Sequence, residues 1–262
     1  MVRRTFPGVT STPGDISTRP ADAVTTAGTR RRSLLRAAFG GTAALTTGLV
    51  AGAPSAAART GGGARGKRPA TPAAALRALA HGNERWRALH QTHPHEARAD
   101  RVAAVSGQHP FAVVLGCIDS RVPPELVFDQ GLGDLMTVRS AGEVLDEAVL
   151  GSIAYGVLEL GIPLVMVLGH QSCGAVGAAV HADETGEELP AHIAYVAEQI
   201  RPAIDRGRSG PARVDATITA QVRLVTSRLA AEPDLAARVE TGALAVVGAR
   251  YELASQLVHR VA

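Results

Sequence analysis

The chain has 262 residues, of which 46% are hydrophobic and only 3% aromatic. That is enough apolar content for a sizeable, mostly aliphatic core, and it speaks against a surface built from stacked aromatic platforms. The net charge of +3 is uneven: residues 1–58 hold seven arginines and two acids, which leaves 20 of the 27 basic and 22 of the 24 acidic residues for the rest. With that slightly acidic body, the chain lacks the basic stripe that would mark a nucleic-acid partner.

Residues 1–29 are rich in Thr, Pro, Gly and Ala and carry no periodicity, the composition of a disordered segment. Arg30-Arg31-Arg32-Ser33-Leu34-Leu35-Arg36 follows, then a weakly apolar stretch over 37–53 and the small residues of 54–58. Basic, apolar and small residues in that order read as an export signal, and the Arg31-Arg32 pair before Leu34 and Leu35 resembles the twin-arginine type. The stretch of about 17 residues, interrupted by Gly40, Gly41, Gly48 and Gly52, is marginal for spanning a bilayer. The expected product is therefore exported, to the periplasm or outside the cell. Cleavage is expected at Ala56-Ala57-Ala58, or else at Ala51-Gly52-Ala53, leaving no stable membrane span. An exported protein with two cysteines usually pairs them; one exported already folded could instead carry a metal that shields both thiolates.

Residues 59–70 read as a Gly-rich flexible linker, and residues 71–262 are expected to form a single α/β domain. Thr71-Pro72 opens a helix whose stripe runs through Ala75, Leu76, Leu79, Trp86 and Leu89, interrupted at Gly82. His90, His93 and His95 follow in what reads as a solvated loop, although clustered histidines can bind metal. The continuous apolar run at 111–116 predicts a strand covered on both faces. A short helix from Val122-Pro123-Pro124-Glu125, a strand at 134–138 and a helix at 146–160 ended by Gly161 follow. A third strand spans 163–168, with a helix reaching about residue 181 and a polar turn at 183–188. Helices at 190–206, 214–230 and 234–240, a last strand at 244–247 and a terminal helix at 252–260 complete the series. This alternation argues an α/β fold with a mostly parallel central sheet flanked by helices. No GxGxxG turn follows a strand, so a dinucleotide site has little support.

Both cysteines sit where apolar runs end: Cys117 after the first strand, and Cys173 three residues beyond His170, after the third. Ligands gather at the carboxyl ends of parallel strands. If those strands are neighbours, Cys117 and His170 face one crevice and Cys173 joins them from a helix start. Two thiolates and an imidazole suit zinc and leave its fourth position open, as catalytic sites do. Three other readings fit the same spacing: a Cys117–Cys173 disulfide, two unrelated buried thiols, or a closed structural zinc site with Asp119 as fourth ligand. Asp119 and Arg121, two residues apart, share one side of extended backbone. A guanidinium there can grip the carboxylate bidentately and keep it ionised, either as a plain ion pair or to orient a hydroxide on a metal.

The run GCIDSRVPPELVFDQGLGDL, with VRSAG and LGHQSCGAV downstream, strongly resembles a β-class carbonic anhydrase over roughly residues 73–260. The resemblance implies Zn2+ held by Cys117, His170 and Cys173, and a catalytic Asp119–Arg121 dyad in which Asp119 can take the fourth zinc position in an inactive form. It implies a homodimer or a higher assembly of dimers, with active sites near the interface. The implied activity is reversible hydration of carbon dioxide to bicarbonate and a proton by a zinc-bound hydroxide. Hydrolysis of carbon disulfide or carbonyl sulfide on the same scaffold, and a noncatalytic zinc-binding role, are the alternatives. The residue that carries the proton to solvent is not legible. The chain departs from the family's frequent R-N-A-G-N at Ser140 and Glu143, which replace two amides. Val114 stands where one branch has the Trp of a noncatalytic bicarbonate pocket, so that pocket is not expected.

Overall fold

A computed structural model describes residues 68–262. The expected export signal at 1–58 and residues 59–67 of the linker lie outside the described residues. In chain order the elements are α1 (Pro72–Arg87), α2 (Arg98–Ala104), β1 (Ala112–Gly116), α3 (Pro124–Val127), β2 (Leu135–Arg139), α4 (Glu147–Leu158) and β3 (Leu164–His170). Then come α5 (Gly174–Thr185), α6 (Ala191–Ile200), α7 (Gly210–Ala230), α8 (Pro233–Glu240), β4 (Ala245–Tyr251) and β5 (Val258–Arg260). They build one five-stranded sheet in the order β2-β1-β3-β4-β5. The first four strands are parallel and β5 runs antiparallel to β4.

Every residue of β1 and β3 is buried, because helices cover both faces of the sheet. Ala112, Val114, Leu164, Met166 and Leu168 point to one side and pack on Ala75 and Leu79 of α1 and on Phe128. The alternate residues Val113, Leu115, Val165 and Val167 meet α4, α7 and α8 through Ile153, Val222, Leu229 and Leu235. Each fully buried aliphatic side chain of this kind contributes about 1.5–3 kcal/mol. A third cluster, with Val144, Val176, Ile200 and Ile218, surrounds Cys117 and Cys173.

Local chemistry explains the helix limits. Thr71 Oγ1 accepts from the Ala74 N–H, and Asp146 Oδ1 from the Val149 N–H, at 3.3 and 2.8 Å, both as N-caps. Helix α1 runs unbroken through Gly82, because the glycine lets it touch the loop after α3: a Cβ there would lie 1.7 Å from the Phe128 carbonyl oxygen.

Several elements differ from the sequence reading. Helix α2 was not expected; it buries no residue and so leaves no apolar period to read. Helix α5 continues to Thr185, into the expected polar turn, before Gly186 closes it at φ 71°. The expected helix at 190–206 ends at Ile200, and Pro202 sits in a short 3-10 turn, since proline lacks the N–H that would continue the α ladder. Strand β4 extends to Tyr251.

The terminal helix at 252–260 is a correction: the chain turns and returns as β5. The open edge of β4 takes it in, with Val261 N–H donating to the Gly248 carbonyl at 2.9 Å. Asn83 of α1 pins the turn, accepting from Val258 N–H at 2.9 Å and donating to the Gln256 carbonyl at 3.0 Å. Tertiary pairing thus overrides local propensity. No helix among the described residues is long and apolar enough to cross a membrane.

Candidate metal centre

Strands β1 and β3 are direct neighbours, so the residues at their carboxyl ends converge. Cys117 follows β1, His170 is the last residue of β3, and Cys173 is the N-cap of α5. Between the last two, Ser172 adopts φ 56°, which folds the turn tightly enough to bring Cys173 back over the sheet. The donor atoms of Cys117, His170 and Cys173 all lie within 4.8 Å of one another, and all three residues are buried. The sulfur atoms are 3.8 Å apart and both cysteines are free. A disulfide needs about 2.05 Å. The disulfide and unrelated-thiol readings therefore do not describe this chain.

The imidazole is turned toward the sulfurs. His170 Nδ1–H donates to the Gln171 carbonyl at 2.9 Å, which leaves the Nε2 lone pair pointing inward, buried and without a hydrogen-bond partner. An orphaned buried acceptor costs about 1–3 kcal/mol, and this arrangement is the one a metal-ligating histidine takes. The contact with Cys173 holds the Cys117 thiol down to about 4, helped by His170 and the Gly142 N–H against the opposing effect of burial. The same contact, with burial, pushes Cys173 up. A cation between them would satisfy both sulfurs.

Asp119 stands beside this group and not within it. It accepts from the Arg121 backbone N–H and Nε at 2.9 Å each and from Nη2 at 2.7 Å. That grip holds the Asp119 carboxyl well below the usual carboxylate range. Its Oδ2 lies 3.9 Å from His170 Nε2. Arg121 also donates to the Ser172 carbonyl at 3.2 Å, tying the loop after β1 to the turn after β3.

Sequence reasoning missed the supports of this loop. Arg139, at the end of β2, donates to the Cys117 and Asp119 carbonyls at 2.7 Å each. The Gly142 N–H points at Cys117 Sγ, 3.5 Å away, and Gln221 of α7 holds the Gly142 carbonyl at 3.1 Å. The Arg-Ser-Ala-Gly run was the available signal. Of the two departures from the family pattern, Ser140 donates to the Val144 carbonyl at 2.8 Å. Glu143 is buried, with Oε1 unpartnered, and burial, then the nearby Cys117, raises its carboxyl. The histidines at 90–95 form no metal group among the described residues; His95 pairs with Asp134 at 2.7 Å.

Beside Cys117 opens a cavity of about 470 Å³, lined by it and Asp119 and walled by Ile118, Ala175, Ile193 and Val196. The α6 side of this wall was not legible as part of a site. It offers a small apolar substrate an apolar wall beside an ionised carboxylate.

Residues 112–258 match the family model described as carbonic anhydrase. Carbonic anhydrase 2 of Mycobacterium tuberculosis is 45% identical over 184 residues, 70% of this chain and 89% of that protein. The carbonic anhydrase of Mycolicibacterium smegmatis is 43% identical over 185 residues, again 70% of this chain and 90% of the relative. Among solved structures, the β-carbonic anhydrase CcaA superposes with a TM-score of 0.58 at 23% identity, covering 71% of this chain and 94% of its own. The β-carbonic anhydrase CafA of Aspergillus fumigatus gives 0.57 at 24%, covering 71% and 91%. With its mostly parallel sheet and its Cys-His-Cys group at the strand ends, the chain belongs to the carbonic anhydrase family and has the fold of the β-carbonic anhydrases.

Proposed function

We propose that this enzyme hydrates carbon dioxide reversibly to bicarbonate and a proton, with Zn2+ held by Cys117, His170 and Cys173. The observation that carries the reading is the 3.8 Å sulfur separation beside an unpartnered His170 Nε2. Two thiolates at about 2.3 Å from one tetrahedral zinc stand about 3.8 Å apart, so the donors fit that ion. Zinc held there supplies Lewis acidity, lowering the pKa of a water molecule to about 7.

The chain's own groups do the rest. Asp119, ionised in the grip of Arg121, accepts a hydrogen bond from the nucleophilic water and fixes its direction. Arg121 keeps that carboxylate from turning away. Ile118, Ala175, Ile193 and Val196 hold carbon dioxide in the cavity and limit bulk water. The relatives at 43–45% identity favour carbon dioxide over carbon disulfide or carbonyl sulfide.

Two further readings belong with this one. The Arg31-Arg32 pattern supports export by a twin-arginine-type signal. An assembly of dimers is supported by neighbours from Sordaria macrospora described as tetrameric β-carbonic anhydrases, at 19% identity and a TM-score of 0.57.

Metal analysis with stopped-flow carbon dioxide hydration tests the function. The wild type is expected to hold zinc in equimolar amount and to be active, and Cys117→Ser and His170→Ala to lose both. A zinc-free Cys117→Ser protein with full activity would refute the assignment.

A further inference from the structure

Each hydration cycle leaves a proton inside an apolar cavity. A donor of pKa about 7, whose proton is recaptured at about 10¹⁰ M⁻¹s⁻¹, gives it to water at only about 10³ s⁻¹. Faster turnover needs a protein group that takes the proton and hands it to buffer at the mouth.

The cavity lining offers three ionisable side chains: Cys117, Asp119 and His192. Cys117 is committed to the donor group. Asp119 is committed to Arg121, which grips both of its carboxylate oxygens. His192 lies in the first turn of α6, exposed to solvent while lining the same cavity as Cys117 and Asp119. It makes no hydrogen bond or ion pair among the described residues, so its ring is free to turn between cavity and solvent. An imidazole is also the side chain that exchanges protons in the neutral range.

Most acidic groups of the elements packed around α6 are engaged elsewhere, while Glu188, in the segment leading into it, is exposed and unpaired among the described residues. Asp183 and Glu184 of α5 pair with Arg213, and Glu198 pairs with Arg201. Glu187 pairs with His181, and Glu143 is buried.

We propose that His192 is the proton-transfer residue. Its free ring nitrogen accepts the released proton through cavity water, becoming imidazolium, and passes it to a buffer base outside, which restores the neutral ring. This inference rests on the carbon dioxide hydration reading above.

The test compares the wild-type holoenzyme with His192→Ala and His192→Gln over a range of buffer concentrations. In weak buffer kcat is expected to fall about tenfold in both variants, with kcat/KM within about twofold of the wild type. Added imidazole should restore kcat in His192→Ala. As an independent readout, bicarbonate added to the labelled holoenzyme should shift the ring NMR signals of His192 and leave those of His81, on α1, in place.

Equal kcat in wild type and variants at every buffer concentration would overturn the proposal, with hydration itself intact. So would parallel losses of kcat and kcat/KM that imidazole does not rescue, or a His192 ring indifferent to bicarbonate. A wild type that hydrates no carbon dioxide overturns the functional reading, and this assignment with it.

Discussion

Replacing Gly142 with alanine separates two physical costs at the edge of the metal centre. Gly142 has φ 64°, a left-handed conformation that costs an L-residue about 1–2 kcal/mol. An added Cβ would also lie 2.8 Å from Ile200 Cδ1 and 3.4 Å from Ala175 Cβ. Ile200 is fully buried, so moving its Cδ1 aside displaces packed neighbours, and overpacking of this kind costs about 1–3 kcal/mol. The total is about 2–5 kcal/mol.

Gly161 supplies the control, because it has φ 66° and nothing within 4 Å of an added Cβ. Gly161→Ala should therefore cost only the backbone part, about 1–2 kcal/mol. Urea denaturation followed by circular dichroism gives both values. The expected result is a deficit for Gly142→Ala about 1–3 kcal/mol beyond that of Gly161→Ala. Metal affinity should fall as well, because the Gly142 N–H faces Cys117 Sγ. A Gly142→Ala protein no less stable than Gly161→Ala would refute the packing described around Ile200.

Asp119→Ala should retain zinc and lose turnover by about two orders of magnitude in stopped-flow hydration, the scale of one oriented polar group in a reaction centre; an unimpaired rate would reduce the dyad to a structural pair. Asp129 gives a stability prediction with a pH signature. Burial alone would raise its carboxyl, but hydrogen bonds from the Thr92 and His93 backbone, the Thr92 hydroxyl and Arg85, at 2.5–3.1 Å, bring it below the ordinary range. A depressed carboxyl contributes stability above its unfolded value of about 3.9 and loses it as pH falls through the lower folded value. Asp129→Asn should thus cost about 1–3 kcal/mol at neutral pH and progressively less in acid. Urea midpoints at pH 7 and pH 3 measure this, and a constant difference would contradict it.

What the sequence revealed depended on whether burial left a pattern in it. β1 and β3 are buried on both faces and write themselves as unbroken apolar runs, so the strand ends carrying Cys117 and His170 were legible. Their adjacency was only a condition, because pairing order is a property of the sheet. Asp119 and Arg121 were readable as a local pair, since two residues suffice for the grip. Arg139 and Gln221 were not, because each reaches loop carbonyls far off in sequence and nothing in the neighbouring residues announces a backbone target. The α6 wall of the cavity was hidden for a similar reason: Ile193 and Val196 read as ordinary helix apolar positions. The end of the chain misled because helix propensity says nothing of an open strand edge waiting nearby.

The three donors come from segments that meet only when β1 and β3 pair, with Cys117 and Cys173 separated by 56 positions in the chain. An unfolded chain offers a cation no such tripod, so occupancy of the centre and integrity of the sheet form one linked equilibrium. Free metal at about a thousand times its dissociation constant would add about 4 kcal/mol to global stability. Depleting the ion would then lower the melting temperature of the whole domain, and ion scarcity would be felt first as a loss of folded protein.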